Sequence, residues 1–379
     1  MDDAPPSIFG IQIPILGQKD RTISNLDISG IHFDGNYNNQ NLTPEDHGKG
    51  FHNFIGLTNC SKSKFHDLAG GYNEGDYFRF LNSYNLEFSE CTGAMGGHDW
   101  IHLRNCNYVS IFDNHIQMRS NNAIRVRNSS NVSIFSNVCI GTNFAYAPAI
   151  QLENIDPGAY TSNIQIYGNT LQNVFGPGIW LIGGGETTCA KNVSIKNNLI
   201  TNCGIMPASN GIAGVGGIVC DGFTAVDILN NTIDSCKGYG ILFGEYLKSS
   251  TLSKLSASIQ RNIISNTKEG NSKGHYSGAG IVNLISTRYE LTCSENCFYN
   301  NHLNNPDTIH DSSAIFANPQ YVGNGDYHLL PDSPAKFSSY ELGRYGTLTY
   351  CDIIKKFSAM FESCTQDTIG NDELEDNRE

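Results

Sequence analysis

The sequence predicts an all-β solenoid: a parallel β-helix closed by a C-terminal cap and a short helix. Two asparagine ladders and the absence of helical periodicity between them carry that reading. Asn59, Asn82, Asn105 and Asn128 are each 23 residues apart (82−59, 105−82, 128−105), and each ends an alternating stretch such as Ile55-Gly-Leu57 or Ile124-Arg-Val126. A second ladder, Asn114, Asn137, Asn169, Asn198, Asn231, Asn262 and Asn296, follows stretches such as Val132-Ser-Ile134 and Val193-Ser-Ile195. Self-similarity at a period of roughly 20–50 residues marks a stacked-repeat architecture. Strict alternation is the period of a strand, so each repeat reads as one coil of two or three short strands.

Residues 8–35 read as incomplete coils, with Leu26-Asp-Ile28 and Ile31-His-Phe33 as strand pairs. The stretch 35–50, "GNYNNQNLTPEDHGKG", is too hydrophilic for a coil and reads as a protruding loop. Coils from 51 to 140 are compact. Beyond them the ladder spacing lengthens to 32, 29, 33, 31 and 34 (169−137, 198−169, 231−198, 262−231, 296−262). The added residues fall in corners at 155–162, 183–191, 205–216 and 245–254, and insertions in a solenoid map to loops, often on its binding face. The segment 318–335 breaks the repeat. Ile353, Ile354, Phe357, Met360 and Phe361 then take helical spacing, predicting an amphipathic helix near 352–362 over the open end of the stack. We therefore divide the chain into a β-helix catalytic domain, 1–335, and a cap with a disordered tail, 336–379.

A net charge of −13 over 379 residues argues against nucleic acid or an anionic membrane as partner. No apolar run approaches the roughly 18 residues that a membrane span needs. The chain starts at Met1-Asp2-Asp3 without a charged-then-apolar leader and enters a strand-like "IFGIQIPIL". That start reads as a catalytic fragment of a longer extracellular or cell-surface protein, for which a homo-oligomer is compatible. The twelve cysteines do not read as a disulfide framework, since Cys60 and Cys106 share one repeat position and Cys203 and Cys236 another. Cysteine at repeat-equivalent places acts as a small buried hydrophobe. Cys351 and Cys364 could pair, but nothing in the sequence requires it.

The N-V-S-I-x-x-N-x-I repeat and the terminal "NPQYV…GDYHLLPDSPA" resemble right-handed parallel β-helix carbohydrate-active proteins: pectate-lyase-like lyases, related hydrolases and phage tailspikes. The likeness covers residues 20–335. More narrowly, the chain looks like the catalytic part of a methanosarcinal disaggregatase, an enzyme acting on the methanochondroitin coat of cell aggregates. That narrower likeness transfers no catalytic residue.

Alternation makes the register readable. Ile55, Phe78, Ile101, Ile124, Ile150, Ile179, Ile218, Ile241 and Ile281 should point inward. The residues after them, Gly56, Arg79, His102, Arg125, Gln151, Trp180, Val219, Leu242 and Val282, should then form an outward column. Arg104, Arg127 and Glu153 follow two places on. Five of the ten arginines (79, 104, 119, 125 and 127) fall in this window, which points to a clamp for an acidic sugar chain. A uronate lyase needs its substrate carboxylate neutralised and a base within reach. His102, between Arg79 and Arg125, should be held neutral as that base. The alternative is an arginine column paired to acids on adjoining coils.

Asp76 and Asp99 occupy one place in consecutive coils, with His98 before the second. Three roles stay open for them: a carboxylate pair for glycoside hydrolysis, a Ca²⁺ site, or acceptors of backbone hydrogen bonds at the turn. Trp180, Tyr146, Tyr160 and Tyr246 are candidates to stack on sugar rings. The favoured activity is β-elimination on a uronate-containing polysaccharide; the alternatives are hydrolysis by Asp76 and Asp99, or glycan binding without catalysis.

Overall fold

The computed structural model describes residues 22–35 and 53–336, apart from 74, 95, 119–120, 142–146, 157, 159, 184–189, 206–215, 245–253, 271–276 and 304–308. Every regular element among the described residues is a strand. The expected helix at 352–362, Cys351 and Cys364, and most of the 35–50 excursion lie outside them.

Three parallel sheets of eleven, nine and ten strands share one elongated core in a right-handed β-helix. The nine-stranded sheet concerns function. It runs through Ile55–Thr58, Phe78–Leu81, Ile101–Arg104, Ile124–Arg127, Ile150–Asn154, Ile179–Gly183, Gly216–Asp221, Tyr239–Gly244 and Ala279–Asn283. All nine expected inward residues are in register along it and buried. Burying each such side chain contributes about 1.5–3 kcal/mol, so this column is a large part of what holds the stack.

The two ladders do different work. Asn59, Asn82, Asn105 and Asn128 sit at corners with φ between 48° and 57°, the left-handed region that asparagine tolerates better than most residues. The second ladder is buried. Asn169 Oδ1, for example, accepts from both the backbone N and Nδ2 of Asn137, each at 3.0 Å. Asn137 Nδ2 also donates to the Ile111 carbonyl at 2.9 Å. The same pattern climbs from Asn114 to Asn296, where Asp311 Oδ2 takes the last two donors at 3.2 and 2.9 Å. A buried amide column satisfies corner groups that would otherwise be orphaned, each at a cost of about 1–3 kcal/mol.

The nine described cysteines are unbridged, and all but Cys293 are buried. Burial pushes the Cys91 thiol up to about 12, as suits an inert packing group. The break in the repeat at 318–335 is an antiparallel hairpin, Tyr321–Gly323 with Asp326–Leu329, fastened where Tyr327 Oη donates to Asp234 Oδ2 at 3.0 Å.

Candidate active site

The outward column forms as the alternation predicts. Arg79, His102, Arg125, Gln151 and Trp180 are consecutive register partners, and Arg104, Arg127 and Glu153 make a second column two residues along. A further column precedes each strand. Asn53 Oδ1 accepts from Asp76 N at 3.0 Å, Asp76 Oδ1 from Asp99 N at 3.0 Å, and Asp99 Oδ1 from Asn122 N at 3.1 Å. Asp76 and Asp99 are thus two carboxylate rungs in a column that otherwise carries amides. One oxygen of each does the turn-capping job considered from sequence, which leaves Oδ2 of each for something else.

Those oxygens converge with both histidines. His102 Nδ1 lies 3.5 Å from Asp76 Oδ2 and 3.5 Å from Asp99 Oδ2. His98 Nδ1 meets Asp76 Oδ1 at 2.5 Å and stands 3.5 Å from Asp99 Oδ2. Arg79 Nη1 donates to Asp76 Oδ2 at 3.1 Å, and Arg125 Nη1 lies 3.5 Å from Asp99 Oδ2. Both carboxylates are wholly buried, and neither ring nitrogen of buried His102 makes a hydrogen bond. Burial pushes the Asp76 carboxyl up, but the His102 and His98 rings beside it win and hold it well below the usual carboxylate range. Burial also opposes a charged His98, yet Asp99 and Asp76 overcome it and raise that ring to about 9.

Several sequence expectations need correction. His102 does not stand between arginines alone: two carboxylates face its Nδ1 and the residue is only 5% exposed. The arginines are not a free clamp either. Besides Arg79 on Asp76, Arg125 Nη2 donates to Glu153 Oε1 at 2.9 Å, and Arg104 and Arg127 both reach Asp156. The alternation fixes which face a side chain takes but not the acids that meet it there. Gln151 and Glu153, expected to touch substrate, are buried and bonded to one another. Trp180 is also buried; its Nε1 donates to Asp221 Oδ2 at 2.7 Å, and it packs with Val219, Leu242 and Val282. It therefore has no ring face for a sugar. Tyr160 stays exposed beneath the Lys191 ammonium, while Tyr146 and Tyr246 lie outside the described residues.

The sequence reading missed Asp156, Asn53 and Asn122. The last two share the 23-residue spacing of Asp76 and Asp99 and were findable; Asp156 lies in a corner insertion and has no period. Asp76, His98 and Asp99 offer ligand atoms within 4.8 Å of one another, the one group among the described residues able to hold a cation. The two carboxylates offer the oxygen ligands that Ca²⁺ takes, while the imidazole nitrogen does not suit that ion.

Residues 161–340 match a protein-family model described as Disaggregatase related. A search of curated proteins finds no match. Among solved structures, the A-module of the mannuronan C-5 epimerase AlgE6 from Azotobacter vinelandii aligns with a TM-score of 0.51 at 14% identity, over 79% of this chain and 72% of that one. Endopolygalacturonase I from Stereum purpureum aligns at 0.45 and 15% identity, over 70% and 80%. PfbA, a surface adhesin of Streptococcus pneumoniae, aligns at 0.41 and 15% identity, over 68% and 71%. At such identities the likeness speaks to fold alone. The matched segment 161–340 begins after the last residue of the acid–base cluster. The chain is a right-handed parallel β-helix whose later coils match the Disaggregatase related model.

Proposed function

We propose that the protein is a polysaccharide-processing enzyme that removes the proton α to the carboxylate of a uronate in an acidic extracellular or cell-surface glycan, with β-elimination as the outcome. One observation carries this reading: Asp76, Asp99, His98 and His102 meet at one corner of the stack beside Arg79 and Arg125. In the proposed step His102, whose ring nitrogens are covered until substrate binding exposes them, takes the α-proton, the freed electron pair forms the ring double bond, and the glycosidic C–O bond breaks. His98, cationic up to about 9, returns a proton to the departing oxygen. Arg125 stabilises the carboxylate as charge builds on it. The match to a Disaggregatase related model supports the substrate class, and the fold shared with a mannuronan epimerase module is compatible with it.

Hydrolysis by Asp76 and Asp99 is less favoured on distance. One oxygen of each lies within 4.8 Å of the other, closer than the roughly 6.5–9.5 Å between the carboxyl groups of an inverting pair. Asp76 is also engaged by His98, so we keep this pair for proton transfer and expect chelation of Ca²⁺ to leave turnover unchanged. The test incubates the protein with acidic glycans, following ultraviolet absorbance of unsaturated uronate together with reducing ends. Both rising supports the reading. Reducing ends alone make the protein a hydrolase, solvent deuterium entering the sugar without cleavage makes it an epimerase, and binding without either makes it an adhesin.

A further inference from the structure

Next to the acid–base cluster lies a second set of donors with a different kind of partner. Arg104 Nη2 donates to Asp156 Oδ2 at 3.3 Å, Arg127 Nη2 to Asp156 Oδ1 at 2.5 Å, and Asn128 Nδ2 to Asp156 Oδ2. Arg104 and Arg127 end successive strands of the regular stack, and Asn128 is the corner residue that follows the second. Their acceptor comes from the 155–162 insertion, which belongs to neither ladder. Asp76, Asp99 and Glu153 are at most 4% exposed in their side chains, whereas Asp156 is 26% exposed. Asp156 is thus the one carboxylate of the network that solvent reaches. Burial opposes its charge, but Arg127, Arg104 and Asn128 together outweigh it and hold the carboxyl below the usual carboxylate range. Arg127 also keeps a buried Nε with no hydrogen-bond partner.

We propose that Arg104, Arg127 and Asn128 form a recognition subsite for the carboxylate or sulfate of a second acidic sugar, with Asp156 standing in for that group until the glycan arrives. The proposal rests on the reading of the ligand as an acidic glycan. Paired guanidinium groups one coil apart, roughly 4.8 Å, match the planar oxygens of either anion. The subsite lies two residues along the strands from His102 and Arg125, roughly 7 Å, so one chain can span both. Partly exposed ion pairs of this kind contribute little, about 0–1 kcal/mol each, so an incoming anion displaces Asp156 at small cost. A carboxylate on a corner insertion can move aside; one on a strand cannot.

The experiment measures binding of inorganic sulfate and of galacturonate by calorimetry at fixed ionic strength. It needs no turnover, so it fails or succeeds apart from the catalytic reading. Asp156→Ala should bind both anions about 3–10-fold more tightly than wild type, the upper value being about 1.4 kcal/mol. Adding Arg127→Ala should abolish the gain. Tightening for sulfate alone would name a sulfate ester as the ligand, and for galacturonate alone a uronate. Unchanged affinity for both anions in Asp156→Ala would overturn the proposal, as would a gain that survives Arg127→Ala. Should Asp156→Ala not fold, Asp156→Asn keeps the loop's volume while removing the charge, and the same two outcomes decide.

Discussion

The outer face of the nine-stranded sheet changes character halfway along. Its earlier coils carry Arg79, His102, Arg125 and Gln151, which face buried acids; its later coils carry Trp180, Val219, Leu242 and Val282, packed into a second apolar cluster. The inward column and the amide ladder run through both halves without a break. A solenoid therefore specifies its stack and its site separately: the first is repeated in every coil, and the second is written once on one face. The family model covers the apolar half, and the acid–base cluster lies in the other.

Tests of this comparison run from large effects to small. Ile124→Asp and Ile179→Asp, one in each half, should both abolish folding, because each buries an unpaired charge between coils. Circular dichroism reads the outcome, and a folded variant from either half would show that the two do not share one core. The outward column should split. His102→Ala should lower turnover by about 10²–10⁴-fold with little change in melting temperature. Leu242→Ala should instead cost about 2–5 kcal/mol of stability and leave turnover per folded molecule intact. Equal losses of turnover in both variants would erase the distinction between halves.

The ladder comes next. Asn137→Ala and Asn198→Ala each orphan the backbone N–H one coil earlier and a carbonyl, so each should cost about 1–3 kcal/mol in urea denaturation. Similar values from the two halves are expected; a much larger loss in one would mean that the ladder is not uniform.

The pH dependence is smaller and confined to the polar half. His98 is raised in the folded state, so its contribution is full below its unfolded value near 6.5 and is lost as pH rises through about 9. Asp76 is depressed, so its contribution is full above its unfolded value near 4 and is lost progressively as pH falls below it. The two describe one ion pair and are not to be added. Melting temperature should therefore fall on both sides of a plateau, and His98→Gln should flatten the alkaline limb. An alkaline limb unchanged in His98→Gln would assign it to another group.

Most of the stack was legible because parallel coils turn a sequence period into a spatial column. The inward isoleucines, the corner asparagines and the adjacency of Arg79, His102 and Arg125 all follow from counting residues. What covers a face has no period. Trp180 was read as open to sugar because it points outward, although its apolar neighbours in the column, Val219 and Leu242, already suggested a covered surface. That the arginines could pair with acids on adjoining coils was legible as the alternative, but which acids was not, since Glu153 meets Arg125 diagonally and Asp156 arrives from an insertion. The two buried carboxylates were found from sequence, but their convergence on His98 and His102 depends on side-chain directions at a corner, which spacing does not fix.

The amide ladder has a consequence for how such a molecule can change over generations. Each rung fixes the position of the next coil by side-chain and backbone bonds, whatever length of chain runs between the rungs. Spacings of 23 and of 34 residues (137−114, 296−262) coexist in one ladder. Lengthening a connection costs only about 0.6 kcal/mol for each doubling of a flexible loop. Corners can thus acquire new segments, as the stretch bearing Asp156 illustrates, while the interior stays as it was. Ligand preference in such a protein is free to drift quickly on a scaffold that hardly drifts at all.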